Sequence, residues 1–226
     1  MVDLATASLA EKLAFYHARY GLLHTLAAFA GRKSPAFWRL AGPVCTRGYR
    51  ERWLRSHHPA KLNLGGGGNL IHGFLTGDID ARADCWLDLT APFPFPDGSF
   101  DAIFCEEAIE HVTLDQGRAM LRECYRILQG GGVIRLTTPD LQYFCKRVAE
   151  GGASEAYVEM NDIFYKHGHR HLYTRTALET ELRAAGFRLV RSSFYRAPAS
   201  ALGHLDSHAD RFGHPPEISQ YVEAFS

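Results

Sequence analysis

Neither sign of charge is in excess: 25 Lys and Arg stand against 25 Asp and Glu in 226 residues. Nothing in that balance would concentrate nucleic acid or an anionic membrane, so the partners it predicts are small or neutral molecules, with no nucleic acid and no membrane. Long apolar runs are lacking too. The nearest, GLLHTLAAFAG at 21–31, is interrupted by His24 and falls short of a bilayer span, so it reads as a buried helix. The N-terminal stretch MVDLATASLAEK has no basic segment ahead of an apolar block and predicts no secretory signal. Cysteine is sparse and scattered. The five residues Cys45, Cys85, Cys105, Cys124 and Cys145 form no CxxC, which argues against a disulfide framework or a thiolate zinc site and fits a reducing, cytoplasmic setting. Repeats and low-complexity tracts are absent. The length suits one α/β domain with modest extensions, and the oligomeric state is left open.

Between residues 3 and 30, apolar side chains recur at helical spacing (Leu9, Leu13, Phe15, Tyr16, Tyr20, Leu23), predicting one long helix or two short ones. A second helical stretch is expected between Pro35 and Arg55. After Pro59 the pattern changes to short β-like runs between turn signals, so residues 1–59 are assigned to a helical extension and 60–226 to the catalytic domain. The strand candidates are 61–64, 74–79, 84–89, 100–106, 132–139, 187–194 and 218–225. A helix over 114–129 has Leu114, Leu121, Cys124, Ile127 and Leu128 on one face, Thr113 and Gln116 spaced as a capping box, and Gly130 as its end. Another, over 175–185, has Thr174 or Thr176 as N-cap and Gly186 just past its end. Strands alternating with helices predict a mostly parallel sheet covered on both faces, with ligands at the carboxyl ends of its strands. Only residues 65–73 separate the first two strands, too few for an ordinary crossover. The first crossover helix should therefore shrink to about a turn, its place on the sheet taken by the N-terminal helices.

The chemistry starts at KLNLGGGGN, residues 61–69. A glycine cluster directly after a buried strand lets the backbone turn sharply and approach a ligand closely. Asp78 follows at the end of the next strand, where a carboxylate can accept both hydroxyls of a ribose, with Asp80 as its competitor. Asp88, at the end of the third strand candidate, is placed to accept from an adenine amino group with Leu89 and Phe93 against the ring; the alternative is that it caps a turn.

The ordered set LNLGGGGN, GFLTGD, LDLTAPFPFPDGSFDAI, IEHV, LQGGGVIRLTTPD and LRAAGF resembles the class I S-adenosylmethionine-dependent methyltransferases over residues 61–190. The resemblance implies a Rossmann-like, doubly wound α/β fold with a mostly parallel seven-stranded sheet and an antiparallel last strand. It implies S-adenosylmethionine as cofactor. Gly65, Gly66 and Gly67 should flank its methionine end with Asn63 beside them, Asp78 and Ile79 its ribose side, Asp88 and Leu89 its adenine, and Cys105 and Glu106 its amino-acid moiety. Two positions depart from the pattern. The usual acid of the first strand is Asn63, and the third glycine is Asn69.

A sulfonium methyl leaves by in-line displacement, so a protein mainly aligns the nucleophile and excludes water. Where the nucleophile is a hydroxyl, a histidine can take its proton. The candidates are His111 in IEHV, for which the alternative is a packing role at a helix start, and the segment YKHGHRHLY at 166–173. His167, His169 and His171 alternate, as metal ligands on an extended segment would. No acid or thiolate stands nearby in sequence, so the segment is assigned to the substrate cleft and no metal is assigned. His169, His171 and Tyr173 are then catalytic candidates, with Arg170 able to meet a polar substrate group. His204, His208 and His214 fall in a long connection between the last two strands.

The expected function is methyl transfer to a small-molecule or glycan acceptor, the glycan because many of the resembling proteins belong to cell-surface sugar pathways. The alternatives are a non-catalytic adenosyl-binding scaffold and a nucleotide-binding oxidoreductase. The dinucleotide fingerprint G-x-G-x-x-G fails, because residue 70 is Leu.

Overall fold

The structure is a computed structural model that describes residues 6–150 and 156–226. Its strands are β1 (Lys61–Leu64), β2 (Leu75–Asp78), β3 (Cys85–Trp86), β4 (Phe100–Glu106), β5 (Leu128–Pro139), β6 (Leu189–Ser193) and β7 (Ser219–Phe225). They form one sheet in the order β3-β2-β1-β4-β5-β7-β6. The pairs from β3 across to β5 are parallel, while β7 runs antiparallel to both β5 and β6. This is the expected Rossmann-like sheet with its antiparallel last strand.

Strand alternation sends side chains to two cores. On β4, Phe100, Ile103 and Cys105 join the large cluster with Leu62, Leu75 and Leu136, whereas Ala102 and Phe104 join a smaller one with Phe74 and Leu202. Helix α5 (Leu114–Ile127) opens on the expected capping box, with the Thr113 hydroxyl accepting from Gln116 N–H and the Gln116 side chain accepting from Thr113 N–H. Its stripe of Leu121, Cys124 and Ile127 faces the large core. Gly130 does not end it. Leu128 turns extended, at φ −77° and ψ 136°, and leads straight into β5. Helix α8 (Arg175–Ala185) begins at Thr174, whose hydroxyl accepts from Ala177 N–H, and stops at Gly186 with φ 117°.

The N-terminal region makes four helices rather than one or two plus a single stretch: α1 (Leu9–Tyr20), α2 (Leu22–Lys33), α3 (Pro35–Cys45) and α4 (Arg47–Ser56). Gly21, at φ 86°, separates the first two, and Ser34 caps α3 with Pro35 in its first turn. The missing crossover is more complete than expected. Residues 65–74, 79–84 and 87–99 carry no helix at all. In its place α3 and α4 pack on β3, and Trp53 of α4 enters the large core beside Tyr49 and Leu54. Buried Asp84 fastens this layer: it accepts from the Tyr20 hydroxyl at 2.5 Å, from Arg19 at 2.9 Å and from Thr76 N–H at 2.9 Å. Helices α6 (Leu141–Ala149), α7 (Ala156–Tyr165) and α9 (His208–Phe212) were not foreseen. The first of them starts on Asp140, which accepts from Gln142 N–H.

Among the described residues no helix is long and apolar enough to cross a membrane.

Candidate functional site

β1 ends at Leu64, and Gly65 turns the chain with φ +70° while its N–H donates to the Gly77 carbonyl. The turn is tight. A Cβ on Gly65 would lie 2.5 Å from that of Ala108, and one on Gly66 would lie 2.2 Å from Asn63 Nδ2. The Asn63 amide donates to the Asn69 carbonyl at 2.8 Å and to Thr76 Oγ1 at 3.3 Å. A carboxylate at position 63 would meet that carbonyl oxygen without a proton to share, which accounts for the amide where the family pattern has an acid. Asn63 thus shapes the loop rather than reaching out of it.

Asp78 closes β2 against the same loop. Its Oδ2 accepts from Gly67 N–H and its Oδ1 from Asp80 N–H, both at 2.8 Å. Burial is the largest influence on this carboxyl and leaves its pKa raised in spite of those backbone bonds. Asp80 is less open to the same work, because each of its oxygens already accepts two bonds from Arg82, its ion-pair partner. Ile79 beside them is half exposed.

At the carboxyl ends of β1 and β4 lies a cavity of about 900 Å³, bordered by Asn63, the glycines 65–68, Glu106, Glu110, His111, His169 and Phe144. β1 and β4 are where the strand order reverses, the position at which open α/β sheets take ligands.

Several expected residues lie elsewhere. β3 stops at Trp86, so Asp88 follows it in a turn, accepting from Thr90 N–H at 2.8 Å and from the Thr90 hydroxyl at 2.7 Å. It faces a separate hollow of about 390 Å³ with Arg47, Arg50 and Trp86. Leu89 does stay beside the glycine loop, its Cδ1 3.7 Å from where a Cβ on Gly65 would lie, and is half-buried against the large core, which also takes Phe93. Cys105 is fully buried, because alternation on β4 turns it inward, and burial pushes its thiol pKa well up. Glu106 does border the cavity, but its carboxylate accepts from Ser207 N–H, the Ser207 hydroxyl, His208 N–H and Arg211. Burial alone would raise its pKa; the bond from the His208 ring at 3.2 Å first, and then those from Ser207 and His208 N–H, outweigh it and hold it below the ordinary value. Its work is to anchor the start of α9.

The histidine segment divides. Gly168, at φ +71°, breaks the extension that would have aligned the three side chains. His167 and His169 border the cavity, whereas His171 lies outside it with its ring edge-on to Tyr173. Tyr173 is buried in the large core, its hydroxyl over Gly117 and without a hydrogen-bond partner, and it does not border the cavity. His111 and His169 meet edge to face at 4.7 Å between ring centres. Burial lowers both pKa values, that of His169 to about 4, so both rings are neutral at pH 7.

Glu110, unassigned from sequence, is completely buried beside these rings. Burial, reinforced by the charge of Glu107, pushes its pKa well up. The signal was present in IEHV, an acid between an apolar residue and a histidine in the short turn after β4. Phe144 of α6, Ile163 of α7 and His214 complete the walls, and no sequence spacing brings them together.

A family model described as a methyltransferase domain matches residues 85–136. Among solved structures, an S-adenosylmethionine-dependent methyltransferase from Archaeoglobus fulgidus superposes with a TM-score of 0.52 at 12% identity, covering 94% of this chain and 98% of its own. Another from Mesorhizobium loti reaches 0.52 at 17% identity, over 79% of this chain and 97% of its own. No curated protein matches the sequence. At these identities the likeness is one of fold, and S-adenosylmethionine is the cofactor that the fold and the matched domain imply.

Proposed function

We propose that this chain, a class I S-adenosylmethionine-dependent methyltransferase by its fold and matched domain, methylates a small-molecule or glycan acceptor held in the cavity beside His111 and His169. One observation carries the reading: the glycine loop ends β1 with no room for a side chain at Gly65 or Gly66 and open space at Gly67, and Asp78 at the neighbouring strand end accepts from the loop's own Gly67 N–H. A backbone bared in this way fits a ligand that must come close, and Asp78 keeps unused lone pairs for hydroxyl donors.

The cofactor, when bound, supplies an electrophilic methyl group on a sulfonium. The residues of the chain have the remaining tasks. The glycine loop binds by its backbone, and Asp78 orients the hydroxyls of a ribose. The walls from α6 and α7 exclude water around the acceptor. His111, neutral and partly open to the cavity, takes the proton of a hydroxyl acceptor at its imidazole nitrogen.

Two features favour this reading over a dinucleotide oxidoreductase. The loop runs to β2 without a helix, so no helix N-terminus stands ready for a pyrophosphate. The fingerprint glycine is Leu70. Calorimetric titration is expected to show S-adenosylmethionine binding and no NAD binding. Asp78→Ala should weaken that binding by about 10–100-fold, the cost of one or two hydrogen bonds to a charged group. Gly66→Ala, which drives a methyl into Asn63, should abolish it. Unchanged affinity in both variants would overturn the site. Release of S-adenosylhomocysteine on incubation with hydroxyl-bearing acceptors separates an enzyme from a non-catalytic adenosyl-binding scaffold.

A further inference from the structure

We propose that Glu110, His111 and His169 bind a divalent transition-metal ion in the wall of this cavity. Glu110 and His111 sit on the short 3-10 turn that follows β4. His169 arrives from the segment after α7, held there because Arg170 N–H and His171 N–H both donate to the Glu110 backbone carbonyl, at 2.7 and 3.2 Å.

One ligand atom from each residue lies within 4.8 Å of the others. Nε2 of His111 is 4.0 Å and Nε2 of His169 is 3.9 Å from the same oxygen, Glu110 Oε1. Those separations are too long for hydrogen bonds. An ion with bonds of about 2.0–2.2 Å holds its ligand atoms about 3.0–3.5 Å apart, so closing around it asks for shifts of under about 1 Å.

The second observation is an unmet need. Glu110 is fully buried, its Oε2 accepts from Thr138 Oγ1 at 3.0 Å, and its Oε1 has no partner. That unpartnered oxygen is the one both rings face. A buried carboxyl oxygen, charged or protonated, is costly to leave without a partner, and an ion would supply one for Oε1.

Two imidazoles and one carboxylate suit zinc, iron, cobalt or nickel better than magnesium or calcium. Three protein ligands leave a position open, and all three residues border the cavity. The acceptor class that such an ion recognises is one with a hydroxyl or carboxylate oxygen; with His111 ligating the ion, its proton-taking role belongs to the metal-free chain, and the ion instead lowers the pKa of a hydroxyl it holds.

The test uses the full, untagged chain, stripped with a chelator and titrated with Co²⁺ in the visible spectrum and with Zn²⁺ by calorimetry. One ion per chain with the intense absorption of four- or five-coordinate cobalt is expected. His169→Ala and His111→Ala should each weaken binding about 100-fold or more, beyond the 10–100-fold typical of losing an outer partner. His204→Ala, outside the cavity, should bind as the parent does. Glu110→Gln should behave like the histidine variants. Where it fails to fold by circular dichroism, the two histidine variants decide alone. Absence of cobalt uptake by the parent chain, or parent-like affinity in both histidine variants, overturns the proposal. Binding of labelled S-adenosylmethionine to the stripped chain is read separately, so loss of the metal site and loss of the methyl-donor reading remain distinguishable.

Discussion

His24 shows at the scale of one residue how burial sets a chemical state. It stacks on Tyr20 with ring centres 4.4 Å apart, and neither ring nitrogen has a hydrogen-bond partner. Burial lowers its pKa to about 4, with the charge of Asp84 opposing only in part. The folded protein therefore refuses a proton that the unfolded histidine accepts near pH 6.5, so this contribution to stability is complete above about pH 6.5 and is lost as the pH falls toward 4. Denaturant unfolding at pH 7.5 and 5.5 should show His24→Phe losing about 1 kcal/mol less than the parent over that interval. Equal losses would show that His24 takes up its proton in the folded state. Residue identity was a fair guide to local shape: the glycines make the tight turn after β1, and Asp78 ends β2 against it. It misled at Cys105 and Tyr173. Both side chains lie on the inward side of their segment, and facing is decided by strand register and by what packs opposite.

At the scale of elements, Arg135 ties β5 to the connection that follows β6. The side chain is completely buried and makes a two-pronged pair with buried Asp206, at 2.7 and 2.5 Å, and donates to the Phe194 carbonyl. Asp206 also accepts from Arg196 N–H, so the pair holds the chain ahead of α9, whose start rests on Glu106. Asp206→Ala leaves a guanidinium buried without its partner and should cost about 3–5 kcal/mol, read as a lower midpoint in guanidinium chloride. The double variant Arg135→Met with Asp206→Leu should recover part of that loss: neither of these two charges then remains in the core, but buried Glu223, 3.7 Å from the guanidinium, loses a partner. Helices α5 and α8 were legible from caps and periodicity, since capping is settled within four residues of chain. Helix α9 was not. Its five residues are too few to show a period, and it is held by Glu106 from a strand about 100 residues away.

For the whole molecule, the decisive feature is that the first three crossovers lack helices, and the N-terminal helices cover the sheet instead. Removing residues 1–56 would uncover the side of β1–β3 that Trp53 now covers and leave buried Asp84 without Tyr20 and Arg19. Such a chain should aggregate and show no cooperative thermal unfolding; a soluble, cooperatively melting product would disprove this role for the helices. The sequence by itself determined the strand order of appearance, the glycine turn, the two capped helices and the shortage of chain between β1 and β2, because each is written in neighbours a few residues apart. Only the tertiary structure decided that Glu110 and His169 would meet, that His171 would turn away and that Asp88 would face another hollow. Those outcomes depend on where separate stretches of chain cross, and a crossing is set by the packing of the whole sheet and its helices, which no local spacing encodes.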